Sequence, residues 1–376
     1  MKTYKHLFSD MTLRGTVKRA IEKAAEDKRD RRDVKEVIEH EEEYIDIVID
    51  MLATHSYEPK LYKKRQICEG SKHKIRVIEI PNFIYDQLIQ NCLITQLEKV
   101  ILPHMYEHAH GSLKGRGQSQ TANLIKKWIK KDKRGTRYCL QMDIHHCYPS
   151  IDKDILIEKY HQKIKDDDFN VENDKVIRAG ERGLAIGSPT SFWHLHFLLT
   201  PIDHWIVTLD GVDHYVRHAD DMMIFGANKR KLHKVEQAVI KRMRDELHLE
   251  INHNHQVFPL EYVGKDGKKH GRPLDVCGFL FYRNKTIFRE SRMLGVTRKA
   301  NRIAKKDKAT IKDARQMVSQ MGWLDSSDTY DMYLERIKPY VSKRDMRKII
   351  SKYDRRHKQH DLQKSRKLCG NTPAGD

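Results

Sequence analysis

The chain has 376 residues, 39% of them hydrophobic, with 16 Tyr and 4 Trp, which is enough apolar material for a sizeable core and excludes wholesale disorder. Lys and Arg number 72 against 53 Asp and Glu, a formal net charge of +19, and such an excess is the electrostatic footprint of a nucleic-acid partner. No run of 18 apolar residues occurs, and the opening MKTYKHLFSD lacks the apolar stretch of a secretory signal, so a soluble, cytoplasmic protein with no membrane partner is expected.

The first fifty or so residues are rich in helix formers, with apolar residues recurring every three or four positions from Val37 to Leu52. They predict two helices separated by the charged run EDKRDRRD. KLYKKRQIC and KHKIRVIEIP alternate basic and apolar residues about EGS and read as a hairpin. NFIYDQLIQNCLITQLEKVILPHMY has helical period and ends at a basic Gly-rich loop, HGSLKGRGQSQ. A helix, TANLIKKWIKKDK, then precedes the strand RYCLQMDIHHCY.

A helix from about Lys153 follows, then an irregular charged segment, then the loop RGLAIGSPTS opening the helix FWHLHFLLTPIDHWIVTL. YVRHADDMMIFG reads as a hairpin, KRKLHKVEQAVIKRMRDELHL as an amphipathic helix and PLDVCGFLFYRNKTIF as a strand region. From Arg289 the chain is basic and helical, with a frayed tail at QKSRKLCGNTPAGD. Helices and antiparallel strands segregate rather than alternate, which predicts an α+β fold. The six cysteines show no C-x-x-C spacing or zinc pattern and are expected to be reduced, mostly structural thiols.

Asp220 and Asp221 stand side by side between apolar flanks. A polar turn accounts for such a pair, and so does a metal site. Asp143, at the centre of its strand, adds a third carboxylate. Phosphoryl transfer to a hydroxyl needs carboxylates that hold two divalent ions about 4 Å apart, and these three residues would supply them.

In order, KHKIRVIEIP, MDIHHCYPSID, GLAIGSPTSF, HADD and VCGFLFY resemble the successive motifs of a prokaryotic reverse transcriptase, over roughly residues 55 to 345. The resemblance implies a right-hand polymerase: a helical N-terminal extension (1–54), fingers (55–135), palm (136–288), thumb (289–350) and a basic tail (351–376). It makes Asp143 and Asp220 the principal metal ligands and Asp221 the second member of the pair, with Ile144 in the metal set. The implied cofactor is two Mg2+ ions, with Mn2+ as substitute. Tyr148, five residues after Asp143, falls where the family has an aromatic that stacks under the sugar and disfavours a ribose 2′-hydroxyl.

Arg76 and Lys74 match the fingers residues that neutralise the incoming triphosphate, and Ile186 and Gly187 fall in the nucleotide pocket. Lys114 and Arg116 match the same fingers region and equally suit template phosphates, a sequence-independent contact. His218 is placed near the primer end, and Cys277, Gly278 and Phe279 fall at the primer grip. The implied partners are an RNA template, either a noncoding RNA or a template repeat, the DNA product and deoxynucleoside triphosphates, with a companion protein or a second copy of the chain.

The sequence departs from the family at several points. Ile186 replaces a common Gln, which removes a hydrogen-bonding side chain from the nucleotide pocket, and Phe192 replaces a Pro. An aliphatic residue at 186 resembles diversity-generating retroelement enzymes, which tolerate errors, and also several defence-associated groups. The diversity-generating enzymes usually carry Gln where this chain has Phe192. His218 stands for the usual Tyr and adds a titratable group. His255 is the candidate for the family's proton-donating Lys.

No room is expected for a ribonuclease H, a maturase plus DNA-binding region or an endonuclease, so the RNA is to be supplied and recognised from outside the active site. The basic stretch 289 to 369, with Trp323, Tyr330, Tyr333 and Tyr340 interleaved, is the expected RNA surface, its other reading being a solvated helical face over a core. The leading setting is antiphage defence with a partner noncoding RNA. The alternatives are an error-prone enzyme of a diversity-generating retroelement, a template-independent or protein-primed DNA polymerase, and an inactive RNA-binding scaffold.

Overall fold

The structure is a computed structural model that describes residues 3–69 and 74–369. Four helices lead: α1 (Leu7–Met11), α2 (Arg14–Ala25), α3 (Arg32–Glu39) and α4 (Glu41–Ala53). The hairpin β1 (Lys63–Glu69) and β2 (Lys74–Ile80) follows, then α5 (Leu88–Ile101), β3 (Ala109–His110) and α6 (Gln118–Lys131). Next come β4 (Tyr138–Asp143), α7 (Cys147–Ser150), α8 (Lys153–Lys163), α9 (Asp167–Arg178) and α10 (Ser191–Ile206). The hairpin β5 (His214–His218) and β6 (Asp221–Gly226) leads to α11 (Lys229–Leu247) and β7 (Gln256–Pro259). Short strands β8 (Tyr262–Val263), β9 (Lys269–His270), β10 (Leu274–Val276), β11 (Phe279–Phe281) and β12 (Thr286–Phe288) precede α12 (Glu290–Ala304), α13 (Ile311–Leu324), α14 (Tyr330–Arg336) and α15 (Lys343–Cys369).

The α+β class expected from the sequence is present. The chain divides into two compact units: residues 1–118 with 133–258, and residues 119–132 with 259–376. The first is built on a sheet of order β3-β5-β6-β4-β7, in which β5 and β4 both run antiparallel to β6. β6 is buried at five successive positions, Met222 to Gly226, as a central strand covered on both faces should be. Helices α5, α8, α10 and α11 supply Leu97, Leu156, Leu198 and Val239 to the core under that sheet. The core extends through Val17, Ile21, Val48 and Leu52 of α2 and α4, so the N-terminal helices share it.

The second unit holds the antiparallel meander β10-β11-β12 and the helices α12 to α15. Phe279, Phe281 and Phe288 form its aromatic centre. Tyr330 and Tyr340 are exposed, while Trp323 lies under the Arg292 guanidinium at 4.6 Å. Of the interleaved aromatics, Tyr330 packs against Tyr333 at 5.9 Å between ring centroids, and Trp323 is already stacked.

Two expectations need correction. The N-terminal stretch forms four helices rather than two, because the chain also breaks after Thr12 and again at His40, whose φ of −115° and ψ of 37° leave helical geometry. The segment read as irregular and charged contains α9. Asp166 caps it, accepting from the Phe169 amide at 3.2 Å, and Phe169, Val176 and Ile177 bury one stripe. Its interspersed acidic residues hid that period: Glu172 is buried against the His55 Nδ1 at 2.8 Å and the Lys175 Nζ at 3.3 Å. The turn expected at EGS lies largely outside the described residues. Among the described residues no helix is long and apolar enough to cross a membrane.

Candidate active site

The β5–β6 hairpin closes on two residues, Ala219 and Asp220, between the paired His218 and Asp221. Such short loops need a positive φ at the first position, and Ala219 adopts one, 55°, without being glycine. Its amide donates to the His110 carbonyl at 2.9 Å, and its own carbonyl accepts from the Arg217 Nη1 at 2.9 Å. The next strand over, β4, ends on Asp143 rather than centring on it as the sequence predicts, and places it directly opposite Asp221. Opposed residues of an antiparallel pair share a face, so the ladder register itself gathers two carboxylates, and the turn adds a third beside them.

Asp143 is held from its far side by the segment after α11. The Asn252 amide donates to the Asp143 carbonyl at 2.8 Å, and the Asn252 Nδ2 donates to the Asp143 Oδ2 at 3.2 Å. Ile144 is bridged to Ile251 and its apolar side chain is buried, so that side chain offers no metal donor. Burial pushes the Asp220 carboxyl up from its usual range, and the Asp143 charge pushes it further; Arg76 and Arg217 pull it down. Arg76, on β2, is therefore electrostatically coupled to the aspartate turn.

Tyr148 is a partly buried residue on α7, packed against the core. Burial, the Cys147 thiol and the Asp220 charge all raise its phenol. Its carbonyl accepts from the Leu184 amide at 2.8 Å. A Cβ at Gly183 would stand 2.2 Å from that carbonyl oxygen, so glycine there lets the loop approach.

The loop then docks on β2: the Glu79 amide donates to the Ile186 carbonyl at 2.8 Å. Gly187 has a φ of 113°, and a Cβ there would meet Ile78 Cγ2 at 2.5 Å. Ser191 stands four residues after Gly187 because its hydroxyl closes the loop, donating to the Ala185 carbonyl at 2.8 Å.

The structure thus brings Asp143, Asp220, Asp221, Tyr148 and Arg76 into one electrostatic neighbourhood, with Ile186 and Gly187 docked on the strand that carries Arg76. Lys74 opens β2, and its side chain lies outside the described part. Lys114 is exposed on the loop after β3, whereas Arg116 donates from Nη1 to the Tyr106 carbonyl at 3.1 Å. Burial and Arg217 lower His218 to about 4, which keeps it neutral at physiological pH. His255 places its Nδ1 2.9 Å from the Asn252 carbonyl and its Nε2 3.5 Å from Glu236, so both ring nitrogens face protein groups.

In the second unit, Cys277 and Gly278 form the positive-φ turn between β10 and β11. The Arg289 amide donates to the Gly278 carbonyl at 2.9 Å, and the Phe279 side chain is core.

Sequence reasoning missed Asn252, Asp203 and Arg217. Asp203 lies in α10 and is fully buried, as is Arg217. The signal was present: one carboxylate inside the apolar run FWHLHFLLTPIDHW, and one arginine inside the strand HYVRH, each needs a partner.

The carboxylate set suits a hard divalent cation, because its donors are anionic oxygens, and burial together with the Asp143 charge raises Asp220. Among the described residues no three His, Cys, Asp or Glu side chains are already grouped to hold a metal.

Part of the chain is 30% identical over 139 residues to the group II intron-encoded protein LtrA of Lactococcus lactis subsp. cremoris, covering 37% of this chain and 22% of that protein. The chain therefore spans well under half of the curated relative it matches. Among solved structures, an apo telomerase from Candida tropicalis superposes with a TM-score of 0.46 at 12% identity, over 69% of this chain and 52% of that one. A telomerase from Candida albicans in complex with a TWJ fragment of telomeric RNA gives 0.44 at 11% identity, over 76% and 58%. Residues 62–272, more than half of the chain and the stretch that holds all three aspartates, match the family described as reverse transcriptase (RNA-dependent DNA polymerase), and the protein belongs to that family.

Proposed function

We propose that the protein is an RNA-directed DNA polymerase that copies a partner RNA into cDNA. The observation that carries this is the register of Asp143 opposite Asp221, beside a partly buried Asp220 whose carboxyl is raised by burial and by the Asp143 charge. Asp143, Asp220 and Asp221 would hold two Mg2+ ions, with Mn2+ as substitute; when bound, these activate the attacking 3′-oxygen and neutralise charge on the leaving pyrophosphate. Arg76 and Lys74 add positive charge for the triphosphate, which carries more negative charge than the metals offset. Tyr148 restricts the sugar, and Ile186 with Gly187 forms the pocket beside it. His218 sits under the primer end. In this reading residues 55–135 are fingers, 136–288 palm with the primer grip at Cys277 to Phe279, and 289–350 thumb; 1–54 precede them and 351–376 form a basic tail.

The biological setting proposed is antiphage defence with a noncoding RNA, a companion protein or a second copy of the chain. Ile186 keeps the error-prone reading of a diversity-generating retroelement alongside it, since the pocket carries no amide there. Primer extension on an RNA template with Mg2+ tests the activity: wild type extends, and Asp220→Asn does not while still binding the RNA. Full extension by Asp220→Asn refutes the metal assignment. Sequencing the cDNA made in cells separates the settings, a short or repetitive product pointing to defence and an adenine-mutated copy of a repeat to diversification.

A further inference from the structure

Arg217 is 0% exposed, and burying a guanidinium is costly unless its charge and donors are met. They are met by Asp203 of α10: Nε donates to Oδ1 at 2.8 Å and Nη2 to Oδ2 at 2.6 Å. This two-point fork is a geometry that a lysine cannot reproduce. Burial works against the Arg217 charge, and Asp203 more than offsets it, holding the guanidinium above its ordinary value. The Tyr215 hydroxyl donates to Asp203 Oδ1 at 2.7 Å. The one guanidinium nitrogen outside the fork, Nη1, donates to the Ala219 carbonyl, whose peptide leads into Asp220.

Ala219 occupies a left-handed conformation, at a φ of 55°, that is strained for an L-residue, so something must hold it. The His110 carbonyl holds its amide and Arg217 holds its carbonyl. Gly111 packs against it so closely that a Cβ there would lie 3.0 Å from the Ala219 nitrogen. Nothing in strand pairing alone requires an arginine at 217; the fork to Asp203 fixes a donor whose free end meets the turn.

We propose that Arg217, oriented by Asp203, is a positioning residue that fixes the Ala219–Asp220 peptide and so sets the aim of the Asp220 carboxylate. The proposal rests on the polymerase reading for its kinetic readout, but not for its binding readout.

The experiment compares Arg217→Lys with Tyr215→Phe. Lysine keeps the charge opposite Asp203, but its single ammonium cannot reproduce the planar fork to Asp203 together with the separate Nη1 bond to Ala219. Phenylalanine removes a bond to Asp203 and leaves the Arg217 fork in place. The expected result is a Mn2+ affinity, read by electron paramagnetic resonance without nucleotide or RNA, at least tenfold weaker in Arg217→Lys. Its kcat falls at least tenfold, with the KM for deoxynucleotide within about twofold. Tyr215→Phe melts lower but keeps Mn2+ affinity and kcat within about twofold.

Equal Mn2+ affinity in Arg217→Lys and wild type overturns the proposal. Losses in both variants that track their melting temperatures overturn it too, since the network is then merely structural. If Arg217→Lys does not fold, Arg217→Ala with and without added ethylguanidinium replaces it, restored Mn2+ affinity supporting the proposal and no restoration overturning it. A wild type that binds Mn2+ but extends no primer sinks the polymerase reading and leaves the binding comparison intact.

Discussion

Replacing Asp143 by Asn should make the metal-free protein more stable while abolishing polymerisation. Directly opposed strand residues hold their Cβ atoms about 5 Å apart. Two unit charges at that distance repel by roughly 3 kcal/mol at an effective dielectric of about 20 and by roughly 1 kcal/mol in bulk water. The Asp143–Asp221 register sets up this repulsion, and the Asp143 charge also acts on Asp220. Asparagine removes both at nearly constant volume and keeps an oxygen to accept from the Asn252 Nδ2. The melting temperature in EDTA at neutral pH should therefore rise, by about 2 °C at the weak end and about 10 °C at the strong end.

The pH dependence has a definite sign. Burial and Asp143 raise the folded Asp220 carboxyl, so ionising it opposes folding. The penalty is absent below the ordinary carboxylate range and complete above the folded value. The gap between variant and wild type should close as pH falls. Mg2+ should reverse the order by stabilising wild type, by about 2.7 kcal/mol at a hundredfold excess over Kd, and not the variant. Differential scanning fluorimetry in EDTA and in Mg2+ measures all of this. A variant that melts at or below wild type in EDTA refutes the repulsion, and retained primer extension refutes the ligand role.

Two further perturbations probe the supports of the site. Asn252→Ala removes a hydrogen bond to the Asp143 carboxylate, worth about 1.5–3 kcal/mol when one partner is charged; kcat in primer extension should fall about tenfold or more with RNA affinity unchanged. Gly187→Ala places a Cβ 2.5 Å from Ile78 Cγ2 at a φ of 113°, and should cost about 1–3 kcal/mol. Its KM for deoxynucleotide should rise more than its kcat falls, as steady-state kinetics will show.

The parts of the site that chemistry marks directly were legible in the sequence. Asp143 and the Asp220–Asp221 pair carry charge where a strand and a hairpin should be apolar, and Gly187 with Ser191 flags a tight loop before a helix. The supports were not legible, because their meaning lies in pairings distant along the chain. Asp203 and Arg217 belong to a helix and a strand, and each alone is only an awkward polar residue. Asn252 looked like one polar residue among several in INHNHQ until the ladder beside β4 placed its amide on Asp143. The helix α9 was hidden for a different reason: Glu172 and Asn173 are buried polar residues, so the polar pattern did not mark the solvent face.

The loop at Ile186 meets β2 through its main chain: the bond to the Glu79 amide uses the Ile186 carbonyl. Any side chain leaves that attachment in place, so the identity of residue 186 is free to change while the scaffold around it stays put. In the polymerase proposed above, residue 186 would then be a place where copying accuracy can be altered without rebuilding the main-chain scaffold that holds it.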